Sequence, residues 1–198
     1  METRFNKTDT VIEVGLDETG RGPAFGRVYA AAVIWPPDLK SDLIRDSKTI
    51  KTEKAMKIAY DYIMQHALAV SVAYATEQEI DAWNILQADM MAMHRALEGL
   101  SIPFHEIIVD GNYFKPWKNY PWTTIVKGDA KYYSIAAASI VAKYTRDHYI
   151  KDLCAAEPDL NTKYDLLKNK GYPTPAHLAG IAQHGISPFH RKTFKCCI

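Results

Sequence analysis

The chain has 198 residues, 47% of them apolar and 24% charged, which is the balance of a soluble globular protein long enough to bury one core. No apolar run approaches the roughly 20 residues that cross a bilayer, and the polar, mixed-charge start excludes a signal peptide or anchor. Three cysteines, two of them adjacent at Cys196 and Cys197, exclude a disulfide framework and indicate a reducing compartment. The expectation is one soluble cytoplasmic domain over 1–198, with 1–10 a flexible lead-in.

Net charge is +1 but unevenly placed: from Lys163 onward six Lys or Arg face the single acid Asp165, so the rest of the chain carries −4. Residues 163–198 therefore read as a basic C-terminal arm on an acidic body. That pairing is compatible with a polyanion held against a metal-binding acidic site, although charge alone slightly favours a solvated tail.

In chain order, the apolar run 11–16 predicts a first strand, ending at the adjacent carboxylates Asp17 and Glu18 and the glycines of a tight turn. Asp17 points opposite to Leu16 and Val14. A carboxylate at a core rim needs a cationic partner, which suggests a metal or phosphate site. A second strand over 28–35 stops at Pro36-Pro37, and a polar loop through Asp46-Ser47-Lys48 leads to a helix over 52–66. Strand 68–75 follows, then a helix start at Thr76 and a long helix over 84–99 whose methionines read as core filler. Strand 106–110 closes on Asp110, and strand 123–126 leads into Lys127-Gly128-Asp129. The alanine-rich helix over 134–154 has little bulk at 136–138, which permits close approach to a sheet. A helix over 175–183 and the segment Ser187 to Arg191 complete the chain, and the alternation predicts a mixed α/β sheet.

Three predicted strand ends thus carry acids: Asp17 with Glu18, Asp110, and Asp129. Strand ends are where α/β sheets gather ligand sites. Two unit charges about 4 Å apart repel by roughly 4 kcal/mol at an effective dielectric near 20, so converging carboxylates require compensation. Hard oxygen ligands suit Mg²⁺ or Mn²⁺, and a pair of such ions suits phosphodiester hydrolysis. The plainer alternative is a set of separately solvated turn residues. A dinucleotide fingerprint fails because Phe25 stands where its last glycine would fall, and there is no P-loop. What remains is a turn that lets backbone approach a ligand, with Arg21 available to a phosphate.

The runs at 17–23 (Asp-Glu-Thr-Gly-Arg-Gly-Pro), 46–48, 109–112, 127–129, 134–143 and 170–174 together resemble type 2 ribonuclease H, ribonuclease HII, in order from about Val11 to Phe194. The resemblance implies an RNase H-like fold, a central five-stranded mixed sheet flanked by helices. It implies an endonuclease that hydrolyses RNA in RNA–DNA hybrids and serves ribonucleotide excision in DNA repair. Such an enzyme cuts 5′ of single ribonucleotides embedded in duplex DNA, leaving 3′-hydroxyl and 5′-phosphate ends. The family's metal-binding catalytic acids fall on Asp17, Glu18, Asp110 and Asp129, for two Mg²⁺ or Mn²⁺ ions. Its ribose-reading element falls on Gly20, Arg21 and Gly22, where backbone meets the 2′-hydroxyl that separates RNA from DNA. Its junction-sensing tyrosine falls on Tyr172.

Lys48, Ser139 and Lys143 are expected to meet phosphates, although Lys143 also reads as a snorkelling helix lysine. His190, beside Arg191, is expected near phosphate, and His177 and His184 at the surface. Thr19, Phe25 and Arg27 depart from the family pattern; the last two are expected to alter packing beside the substrate. The start near the first strand leaves no room for the extra N-terminal domain of ribonuclease HIII, and the end four residues after Phe194 leaves none for a C-terminal clamp. Weaker hybrid binding and a monomer without a membrane or obligate protein partner are expected. Two rival readings are a resolvase- or integrase-type core acting on all-DNA substrates and a non-catalytic nucleic-acid binder.

Overall fold

Small and β-branched residues build a five-stranded sheet that is buried on both faces in its middle. The computed structural model describes residues 1–8 and 10–198. The strands are β1 (Glu13–Thr19), β2 (Val28–Ile34), β3 (Ala69–Ala75), β4 (Glu106–Asp110) and β5 (Trp122–Ile125), in the order β3-β2-β1-β4-β5. β2 runs antiparallel to both neighbours, whereas β1, β4 and β5 are mutually parallel and end on the same edge. The mixed five-stranded sheet with flanking helices is the expected architecture.

Every residue of β2 is buried, and alternation sends its side chains into two cores. Val28, Ala30, Ala32 and Ile34 join Val14, Leu16 and the helix α3 (Ile85–Glu98), while Ala31 and Val33 meet α1 (Glu53–His66) and α4 (Tyr133–Ala156). The predicted closeness of α4 is realised at β1: a Cβ on Gly15 would stand 2.3 Å from the backbone carbon of Ser134. Only glycine fits there, so the small residues of both elements set the distance between helix and sheet.

Local signals account for the boundaries. Thr52 caps α1, and a capping box at Thr76 and Glu79 opens α2 (Glu77–Trp83). Asn84, at φ 69°, breaks the chain between α2 and α3 and caps the latter with its side chain. Two helices not foreseen from the sequence, α5 (Pro158–Tyr164) and α6 (Leu166–Asn169), are separated by Asp165 in the left-handed region. α7 (Pro175–His184) follows the Tyr172 turn.

Both ends of the chain are fastened to the body. The lead-in is tied down ahead of Asp9, which lies outside the described residues: Glu2 donates its N–H to Lys131, and the amides of Phe5 and Asn6 donate to the Glu13 carboxylate. The basic arm is packed onto the body, where Phe25 shares a third core with Ile150, Leu160, Tyr164 and Leu166 and bridges to His190.

Candidate active site

The site begins with β1, which extends through Asp17 and Glu18 rather than stopping before them; Asp17 is registered with Ala31 and Glu18 with Ala30. The strand's alternation therefore sends the two acids to opposite faces. The last parallel pair, Leu16 with Val109, places the next residues, Asp17 and Asp110, on neighbouring strands. After β5 the chain turns at Lys127, φ 57°, into a 3₁₀ turn over Gly128–Ala130 that carries Asp129. The Gly128 amide donates to Asp110 Oδ1 at 2.7 Å, locking this turn to β4.

The result is that one carboxylate oxygen each from Asp17, Asp110 and Asp129 lie within 4.8 Å of one another. Glu18 stands apart from that trio and faces Arg21, whose Nη1 is 3.7 Å away. The trio has little protein compensation: Lys48 Nζ reaches Asp129 at 3.7 Å, and the Glu18 amide donates to Asp17 at 2.8 Å. Burial pushes the Asp17 carboxyl well above its ordinary range, helped by the charges of Glu18 and Asp110 and opposed by a Ser139 hydrogen bond. Burial also raises Glu18 and Asp129, against the pull of Arg21 and Lys48 respectively. Burial pulls Lys48 down, but Asp129, Asp46, Asp17 and Asp110 together hold it above its ordinary value. Buried, mutually repelling carboxylates with free lone pairs are the donor set that a hard divalent cation satisfies.

A cavity of about 260 Å³ opens over this edge, lined by Asp17, Glu18, Gly20, Arg21, Gly22, Lys48, Asp110, Ser139, Lys143 and Tyr172. Gly20, Arg21, Gly22, Lys48, Ser139, Lys143 and Tyr172 therefore face the same space as Asp17, Glu18 and Asp110. Gly22 is where the two walls meet, since a Cβ on it would be 3.4 Å from the Tyr172 ring. Ser139 shares a hydrogen bond with Ser47 at 2.9 Å, and Lys143 is paired with Asp147 at 3.0 Å.

With this geometry in hand, similarity to known proteins decides the family. The ribonuclease HII family model matches residues 14–197. The chain is 50% identical to ribonuclease HII of Bacteroides thetaiotaomicron over 184 residues, 93% of this chain and 90% of that one. The chain belongs to the ribonuclease HII family. It is 48% identical to the Parabacteroides distasonis enzyme over 92% of this chain and 89% of the relative. Among solved structures it resembles ribonuclease H2 from Pyrococcus horikoshii, with a TM-score of 0.75 and 26% identity, covering 93% and 94% of the two chains. Ribonuclease HII proteins are metal-dependent endonucleases that hydrolyse RNA in RNA–DNA hybrids, and the acidic trio is a donor set that suits a divalent cation.

Two expectations are overturned. His190 does not face phosphate and His177 is not at the surface: both are fully buried, Nε2 to Nε2 at 3.0 Å. His184 is exposed, as expected. Sequence reasoning also missed the residues that hold the Gly20–Gly22 turn. Arg191, fully buried, donates to the carbonyls of Gly20 (2.6 Å), Arg21 (3.0 Å) and Gly26 (2.8 Å). Arg146, also buried, donates to the carbonyls of Phe25, Arg27 and Lys170. At Gly20 (φ 93°) a Cβ would collide with Arg146 Nε at 2.4 Å, so this glycine answers to the clamp as well as to its turn. Nothing around Arg146 or Arg191 in the sequence signalled burial. Asp89 on α3 was missed too; it lies 3.6 Å from Arg21 Nε with no hydrogen bond to either oxygen.

Among the described residues no helix is long and apolar enough to cross a membrane.

Proposed function

We propose that this ribonuclease HII cleaves 5′ of single ribonucleotides embedded in duplex DNA as well as within RNA–DNA hybrids, leaving 3′-hydroxyl and 5′-phosphate ends. One observation carries the reading: Asp17 and Asp110 of the acidic trio, the Gly20–Gly22 turn and Tyr172 line one cavity, with Asp129 at its edge beside the other two acids. A sugar resting on the turn is thereby brought to the acids, and the following sugar meets a flat ring.

Asp17, Glu18, Asp110 and Asp129 are the residues that would hold Mg²⁺ or Mn²⁺. Two such ions, when bound, supply activation of water and stabilisation of the leaving oxygen. The protein's own residues supply the rest. The turn at Gly20 to Gly22 brings main chain to the 2′-hydroxyl, whose presence is the distinguishing feature of the ribonucleotide. Tyr172 is half exposed and offers its face to a deoxyribose, which lacks the oxygen that would crowd it. Lys48, Lys143 and Ser139 stand where phosphates of the cleaved strand pass, positioning the duplex without reading its sequence.

The test is a duplex with one embedded ribonucleotide, incubated with Mg²⁺ and with Mn²⁺, with both product ends analysed. A single cut 5′ of the ribonucleotide with the stated ends is expected. Cleavage confined to long hybrids, or cleavage of all-DNA duplexes, would overturn the proposal.

A further inference from the structure

His177 and His190 lie behind Tyr172, away from the acids, and their hydrogen bonds admit a single placement of protons. The Ser187 amide, which can only donate, points at His190 Nδ1 from 2.9 Å, and the Ser187 hydroxyl, also 2.9 Å away, is free to donate to the same nitrogen. That nitrogen therefore carries no proton, and a neutral His190 must carry its proton on Nε2. This N–H donates to His177 Nε2 at 3.0 Å. His177, accepting there, carries its own proton on Nδ1, which is 2.9 Å from the Tyr172 carbonyl oxygen, a group that can only accept. The chain of donors thus runs from Ser187 through both rings to Tyr172. Both imidazoles are neutral and of opposite tautomer. A second proton on His190 would oppose the Ser187 amide; one on His177 would put two protons between the Nε2 atoms.

The surroundings fit neutral rings. Phe25 and Tyr164 meet His190 edge-on at 5.0 and 4.7 Å between ring centres.

The destination of the relay gives it a role. The Tyr172 carbonyl accepts two hydrogen bonds, from His177 and from the Thr174 amide at 2.8 Å, filling both lone pairs, while the Tyr172 amide donates to Asn169 at 3.0 Å. The ring itself projects into the open cavity, so its aim is set by this main-chain frame. The same short segment, Ser187 to Arg191, holds the opposite wall through Arg191.

We propose that His177 and His190 are positioning residues that fix Tyr172 against the Gly20–Gly22 turn and so set discrimination at a ribonucleotide–deoxyribonucleotide junction. This rests on the reading of Tyr172 as the junction sensor. The experiment compares kcat/KM on a single-ribonucleotide duplex with that on a long hybrid for wild type, Tyr172→Ala, His190→Phe and His190→Gln. His190→Phe keeps ring bulk but removes the donor; His190→Gln keeps an N–H at comparable reach. His190→Phe is expected to lower the single-ribonucleotide to hybrid ratio roughly fivefold to tenfold, the equivalent of about one lost hydrogen bond, and His190→Gln to recover most of it.

An unchanged ratio in His190→Phe, or equal losses on both substrates, would overturn the positioning role while a lowered ratio in Tyr172→Ala left the sensor reading standing. An unchanged ratio in Tyr172→Ala would overturn both. Should His190→Phe fail to fold, nitrogen NMR of the wild-type protein with isotope-labelled histidine decides. Two neutral rings of opposite tautomer near pH 7 support the relay, and a charged ring or matching tautomers would refute it.

Discussion

Two regions of the molecule each crowd like charges together, and they resolve the conflict in opposite ways. At the end of the parallel strands, Asp17, Asp110 and Asp129 face one another with Lys48, 3.7 Å from Asp129, as cationic partner and one main-chain amide each on Asp17 and Asp110. Behind the Gly20–Gly22 turn, Arg146 and Arg191 are both buried, yet each donates to three main-chain carbonyls. An ionised carboxylate only accepts hydrogen bonds and a guanidinium only donates. A loop offering carbonyls can therefore satisfy arginines, whereas a cluster of carboxylates cannot satisfy itself. The arginine region is closed and structural; the acidic region is open and completed from outside.

The sharpest way to break that comparison is to remove an acid. Asp17→Asn or Asp110→Asn is expected to lower hybrid cleavage by at least about a hundredfold, the upper end of what losing even an outer partner of a metal costs. Without divalent metal, each variant should melt higher than wild type, because one repelling charge is gone. Added Mg²⁺ should raise the melting temperature of wild type more than that of the variants. A metal-free variant that melts below wild type would mean that the acids are held by the protein after all. On the closed side, Arg191→Ala strands three carbonyls that now accept from it. Urea unfolding should show a loss of about 4 kcal/mol, since each buried unsatisfied acceptor costs roughly 1–3 kcal/mol and some will reach water. Burial lowers the Arg191 guanidinium to about 9, still charged near neutral pH. A loss below about 1 kcal/mol would show that the clamp is dispensable.

The histidine relay extends the closed region and gives it a pH signature. Burial, with His177 adding to it, pushes His190 down to about 4 from 6.5, and burial lowers His177 as well. The unfolded chain therefore binds more protons than the folded one across that window, and stability rises with pH there. The contribution is fully present above about pH 6.5 and is lost as pH falls toward 4, amounting to about 3 kcal/mol for His190. Unfolding free energies measured from pH 7.5 down to 4.5 should fall more steeply in wild type than in His190→Gln. Parallel curves would show that the rings are not held neutral.

The contrast also explains which parts of the molecule could be read from the sequence. The acids were legible because each follows or ends an apolar run at a sheet edge, so Asp17, Asp110 and Asp129 converge by topology alone. The reach of β1 was not, because Asp17 and Glu18 stay paired to β2 beyond the last apolar residue. Arg191 was illegible for a different reason: its carbonyl partners lie 165 to 171 residues away. In its own neighbourhood it looks like one more solvated charge in a basic arm. His177 and His190, 13 residues apart, bear no local mark of burial either. α5 and α6 escaped notice because they are short and interrupted at Asp165, which leaves too few turns for a periodic pattern.

Asp89 is where the two regions touch, and it supports the smallest effect. Its carboxylate is fully buried without a hydrogen bond, and Arg21 at 3.6 Å is shared with Glu18. Burial pushes its carboxyl well above the usual range, as does the charge of Glu18, while Arg21 opposes them. The folded state thus holds a proton that the unfolded chain releases above its ordinary value of 3.8, so this residue makes the protein less stable as pH rises past that point. Asp89→Asn removes the titrating group. It is expected to gain about 1 kcal/mol at pH 7, with the advantage shrinking as pH falls toward 4. Because Arg21 keeps Glu18 as a partner, hybrid cleavage should change by less than about threefold, a shift under 1 kcal/mol in the barrier. A loss of stability at pH 7 would instead mean that the Arg21 pair outweighs burial, moving Asp89 from the open region's unmet charges to the closed region's satisfied ones.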